Sequence, residues 1–130
     1  MINYYPLYSL SDVETFSISF LDKIGIKHEL KGFGFLVTSI SLGVQHPELL
    51  NSFTSGLYVA VAKVHNTTPQ CVERNMRHAI NVAYSKNPKR VCRIFNNVKP
   101  YNSELITLAV DDYNLHVKII TNEINLTAIR

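Results

Sequence analysis

Along most of the chain the apolar residues recur in steps of three and four, a periodicity that specifies helices. Val13, Phe16, Phe20, Leu21 and Ile24 keep this spacing, and Ser11 with Glu14 has the S-x-x-E form of a capping box. Gly25 is placed to end that first helix. A second runs from Phe33 to Val44, with Phe33, Leu36, Val37, Ile40 and Val44 on one face. It closes at His46-Pro47, where Pro47 can start a short helix. Leu57 to Val64 forms a third helical stretch. A polar break, His65 to Thr68, precedes a long helix from Pro69 to about Ser85, with Thr68 as N-cap and proline at its first position. Asn87-Pro88 interrupts it, Lys89 to Phe95 form a short helix, and Asn96 to Tyr101 form a loop. Asn102 or Ser103 can cap a further helix carrying Leu105, Ile106, Leu108, Ala109 and Val110. The expected class is all-α, a compact bundle of about six helices containing a helix-turn-helix. The bundle is expected over residues 11–115, after an aromatic arm at 1–10 and before an extension at 116–130. The extension mixes β-branched residues with Asn and Thr, which is compatible with a helix, a strand or an arm.

Composition narrows the function classes. Hydrophobic residues make up 46% and charged residues 18%, which excludes intrinsic disorder. The net charge of +3 conceals a strong asymmetry. Residues 63–99 carry Lys63, Arg74, Arg77, Lys86, Lys89, Arg90, Arg93 and Lys99 against Glu73 alone, and both flanking segments are net acidic. A basic block of this kind points to a polyanionic partner. Cys71 and Cys92 are too few for a disulfide framework or a four-cysteine zinc site, and read as reduced thiols. No apolar run approaches the ~20 residues of a membrane helix, and the N-terminus lacks the form of a signal peptide. The expected location is the cytoplasm, with no membrane partner.

The informative stretch is Leu57–Ser85, a helix, a tight polar turn and a second, capped helix. On the second helix Val72, Met76, Ala79, Ile80 and Ala83 fall at core spacing. The opposite face then holds Gln70, Glu73, Arg74, Arg77, His78 and Asn81. A recognition helix presents such side chains to the DNA major groove, where Arg pairs with guanine and Gln or Asn with adenine. Glu73 can accept from a cytosine amino group or pair with Arg77 four residues on. A polar helix face is also the ordinary solvated face of a helical protein. Lys86, Lys89, Arg90 and Arg93 follow the helix and are candidates for phosphate contact.

Several strings resemble the C-terminal DNA-binding effector domain of the stage-zero sporulation protein A family, the response regulator of sporulation. They are Lys31-Gly32, the N-T-T turn at 66–68, V-E-R-x-x-R-H-A-I at 72–80 and K-P-x-N-S-E at 99–104. The resemblance covers about residues 12–115 and implies an all-helical domain that binds double-stranded DNA boxes, often as a head-to-tail homodimer. It implies base contacts from Gln70, Glu73, Arg74 and Arg77, and phosphate contacts from Lys86 and neighbouring polar groups, for which Thr68, Lys89, Arg90 and Arg93 are candidates. His78 matches the family, either as a DNA contact or as a partly buried histidine hydrogen-bonded within the helix pair. The chain departs from the family at Gln70, Cys71 and Tyr84, in a shorter loop before Lys99, and in a more basic 88–93 segment. In the family this region touches an RNA polymerase sigma subunit or the neighbouring subunit. The sequence shows no receiver domain, so the expected protein is a transcription regulator controlled without one. The alternative is a protein-interaction module that keeps the fold and modulates a full-length regulator.

Other site chemistries are weaker. The five histidines are scattered and make no H-x-x-x-H pair, so no metal site is expected. Asp111 and Asp112 are sequence neighbours and do not share a helix face, which argues against acid/base work. Gly32-Phe33-Gly34 lacks the further residues of a nucleotide loop. The seven tyrosines do not cluster with the basic residues and read as packing. No catalytic constellation or cofactor motif is present, and the expected protein is not an enzyme.

Overall fold

The computed structural model describes residues 10–129, with side chains described over 12–123. Six α-helices follow one another: α1 (Leu10–Ile24), α2 (Lys31–Gln45), α3 (Tyr58–Val64), α4 (Pro69–Lys86), α5 (Pro88–Ile94) and α6 (Asn102–Ile129). A 3₁₀ turn at Pro47–Asn51 and a π-helical turn at Phe53–Leu57 join α2 to α3. No strand occurs among the described residues, so the all-α expectation holds. The arm expected at 1–10 lies outside the described residues except for Leu10, which opens α1 one residue before the expected cap.

Local chemistry sets the breaks. α1, α3 and α5 end alike, on a residue of positive φ just past the helix: Gly25 (95°) directly after α1, and Asn66 (54°) and Asn96 (56°) two residues after α3 and α5. In each case the next amide reaches back to an orphan carbonyl: Ile26 to Leu21 at 3.1 Å, Thr67 to Ala62 at 2.9 Å and Asn97 to Cys92 at 2.8 Å. This is the Schellman termination, which favours Gly and then Asn because they tolerate left-handed backbone. Thr68 then caps α4, its Oγ1 accepting from the Cys71 amide at 3.1 Å, with Pro69 at the first helical position. Asn87 caps α5 in the same way, accepting from the Arg90 amide at 3.1 Å.

The core sits around α2, which packs against α1, α4 and α6. Its buried residues therefore extend beyond the single face that the spacing predicts. Phe33, Leu36 and Ile40 are buried as expected, but so are Phe35, Ser39 and Gly43, while Val37 and Val44 are only half-buried. A helix surrounded on several sides has no single apolar stripe. On α4 the buried set is Val72, Met76, Ala79, Ile80 and Ala83, the predicted one. Leu105, Ile106, Ala109 and Val110 of α6 complete the core.

α6 settles one open reading and corrects one expectation. The segment after 116 is a continuation of this helix, which runs unbroken for 28 residues. Neither Asn102 nor Ser103 is its cap, because the helix already includes both. Glu104 instead accepts from the Tyr101 amide at 2.8 Å, and Asn102 is buried, donating to the Glu73 carbonyl at 3.0 Å.

Candidate nucleic-acid interface

α4 owes its placement to contacts on its inner side. α3 and α4 pack together across the four-residue turn, and α2 crosses the α4 backbone at Gly32. With the apolar face held in this way, Gln70, Arg74, Arg77 and Asn81 line up along the outer face at helical spacing. Gln70, Arg74, Arg77 and His78 are exposed, and Glu73 and Asn81 are half-buried. The exposure of His78 argues against the partly buried reading of this residue.

The outer face divides into committed and uncommitted side chains. The Arg77 guanidinium donates to both Glu73 carboxylate oxygens, at 2.8 and 3.0 Å, which is the i,i+4 pairing the spacing allows. Among the described residues Gln70, Arg74 and His78 make no side-chain hydrogen bond or ion pair. Lys99, from the loop before α6, donates to Asn81 Oδ1 at 2.8 Å and lies 5.8 Å from the centre of the Tyr84 ring. Sequence reasoning gave Lys99 no place at this face, although it stands in the K-P-x-N-S-E string. An open cleft of about 310 Å³ lies here, lined in part by Tyr58, Glu73, Arg77, Lys99 and Tyr101. Burial raises the Tyr58 hydroxyl pKa above its ordinary value; the Asn102 amide opposes this and the Glu73 carboxylate adds to it.

Of the basic residues after α4, Lys86, Lys89 and Arg93 are exposed without a side-chain partner among the described residues. Arg90 is placed differently. Its Nε donates to the Lys23 carbonyl at 2.8 Å and its terminal nitrogen to the Asp22 carbonyl at 2.5 Å. It thus closes the C-terminal end of α1, where a cation is favoured.

A family model described as the sporulation initiation factor Spo0A C-terminal domain matches residues 18–113, from the second half of α1 through the first half of α6. The chain belongs to this family. Spo0A C-terminal domains are DNA-binding effector domains, so the chain is a DNA-binding regulatory domain connected with sporulation and transcription. That is a family of binding domains rather than of enzymes. Among the described residues no helix is long and apolar enough to cross a membrane, and no three His, Cys, Asp or Glu side chains gather as a metal-holding group.

Proposed function

We propose that this Spo0A C-terminal domain binds double-stranded DNA sequence-specifically, with α3, the turn and α4 acting as a helix-turn-helix and α4 as the recognition helix. The observation that carries this reading is the outer face of α4. Arg74 stands there exposed and, among the described residues, unpaired between Gln70 and Arg77, all opposite a fully apolar inner face. Gln70, Glu73, Arg74 and Arg77 form the base-reading set. Arg74 is free to take a guanine bidentately, and Arg77, paired with Glu73, can exchange that partner for a base. Thr68, His78, Lys86, Lys89 and Arg93 reach phosphates. The Thr68 hydroxyl accepts from the Cys71 amide and keeps its own proton to donate. Arg90, tied to α1, supports the interface by fixing α5 rather than by touching DNA.

On this reading the protein is a nucleoid-associated transcription regulator. The head-to-tail homodimer on tandem boxes and the sigma-subunit contact implied by the family fall on the segment after α4. Titration of labelled duplexes selected from a random pool tests the proposal. A selected box bound far more tightly than scrambled DNA, with affinity falling steeply as salt rises, is the expected result. Equal affinity for both duplexes would remove sequence specificity from the proposal, and no binding at low salt would remove DNA binding.

A further inference from the structure

Lys99 is held at the outer face of α4 by two neutral partners. Its ammonium donates to Asn81 Oδ1 at 2.8 Å and stands 5.8 Å from the centre of the Tyr84 ring. An ammonium has donors only, so the oxygen of the Asn81 amide turns toward it and the amide nitrogen away. Asn81 is thereby limited to donating. Pairing with adenine needs the amide oxygen as an acceptor too, so Asn81 reads no adenine while Lys99 holds it. The joined pair offers N–H donors alone, from the amide nitrogen and from the rest of the ammonium. Charge placement points the same way. Glu73, Arg77 and Lys99 are the charged side chains lining the cleft between α4 and the loop before α6. Glu73 and Arg77 cancel each other as an ion pair. Lys99 meets no carboxylate among the described residues, so its charge is left over. Tyr101, 77% exposed, lines the same cleft and adds a phenol donor.

We infer that Lys99, Asn81 and Tyr101 form a seat for one phosphate of the DNA backbone, beside the groove that α4 enters. This rests on α4 as the recognition helix, and it adds a contact supplied by the loop before α6 rather than by the basic segment that follows α4. A phosphate only accepts hydrogen bonds and carries one negative charge, so a donor-only seat with one surplus positive charge suits it. A guanine edge also presents acceptors alone, and position along α4 decides between the two. Asn81 lies eleven residues after Gln70, about 16 Å further along the helix axis. Recognition helices touch bases with their N-terminal residues, and the major groove is about 12 Å wide. That interval carries Asn81 past the base edges to the wall of the groove, where the phosphates stand. The seat is also pre-formed: Asn81 and the Tyr84 ring hold Lys99, and Glu104 fixes Tyr101 by accepting from its amide at 2.8 Å.

Anisotropy titration of the full chain on its selected duplex, with neutral methylphosphonates placed one at a time along each strand, is the test. Neutralising one particular phosphate is expected to weaken the wild type by about three- to tenfold and to leave Lys99→Gln, already weaker by that factor, unaffected. Lys99→Gln is expected to weaken all duplexes alike and to lower the salt slope by about one, with unchanged thermal melting because the site is exposed. Lys99→Arg is expected to regain affinity and slope, and Tyr101→Phe to lose about twofold at the same phosphate. Wild-type affinity and slope in Lys99→Gln overturn the inference, and leave the recognition helix standing if Arg74→Ala still loses base preference. A loss in Lys99→Gln confined to duplexes with a guanine at one position assigns the pair to a base and overturns the phosphate seat. A wild-type chain that binds no DNA at low salt overturns the recognition helix and the seat together.

Discussion

Gly32 of α2 lies directly against the backbone carbonyl of Asn75 in α4: a Cβ there would stand 2.2 Å from that oxygen and 2.8 Å from Ala79 Cβ. Neither α4 atom sits on a flexible side chain that could swing aside, so the two helices approach as closely as they do because position 32 carries no side chain. This contact sets the depth of α4 against the body and hence the height of its outer face.

Gly32→Ala is therefore expected to destabilise the fold by about 1–3 kcal/mol, the usual range for overpacking a rigid contact. Gly34, one residue beyond Phe33, supplies the control. A Cβ there meets nothing within 4 Å, so Gly34→Ala should gain about 0.5–1 kcal/mol from helix propensity alone. Urea unfolding of the two variants checks the contrast, and two equal shifts would contradict the close approach.

Much of this arrangement was legible in the sequence because the signals were local. Thr68-Pro69 marked the start of α4, and the spacing of Val72, Met76, Ala79, Ile80 and Ala83 marked its inner face. Tertiary decisions were not legible. Arg90 and Lys89 read alike as basic residues, and only the approach of the α1 terminus separates them. Asn102 read as a helix cap, whereas its burial against the Glu73 carbonyl depends on α4 lying beside α6. The Asn- and Thr-rich tail gave no clear period, yet it continues a helix already nucleated by core residues. Which bases or phosphates the outer residues touch depends on a partner, and the sequence carried that only through family resemblance.

Arg90→Ala is expected to cost about 1–2 kcal/mol, since two charge-assisted hydrogen bonds to α1 are lost and the Asp22 and Lys23 carbonyls are left to water. Lys89→Ala, its exposed neighbour, should change stability by no more than about 0.5 kcal/mol. Thermal melting of both variants without DNA gives the comparison. Equal melting temperatures would mean that the Arg90 clamp contributes nothing in solution.

Tyr58 predicts a pH response. Burial holds its folded pKa above the ordinary value near 10, so the neutral phenol is the form that suits the folded state. The unfolded chain ionises first, and stability present below the unfolded pKa is lost as pH rises toward the folded one. The fold should weaken above about pH 10, and Tyr58→Phe should flatten that alkaline slope. Urea midpoints measured across the alkaline range test this, and an unchanged slope in the variant would assign the loss to other groups.

Arg74 and Lys89 separate the two kinds of contact proposed for DNA. Arg74 is exposed on the outer face of α4 and has no partner among the described residues, whereas Arg77 must first release Glu73. Arg74→Ala is expected to cost about 1–3 kcal/mol on the best duplex and to relax preference at one base pair, because a bidentate base contact is lost. Lys89→Ala should weaken binding to all duplexes alike and lower the salt slope by about one, the signature of a lost phosphate contact. Glu73→Gln keeps the side chain's size and removes the charge that occupies Arg77. It should therefore raise affinity for non-specific DNA while narrowing the gap between the best and scrambled duplexes. Anisotropy titrations of the three variants at two salt concentrations distinguish these outcomes. If Arg74→Ala behaves like Lys89→Ala, α4 touches only the backbone and the base-reading assignment fails.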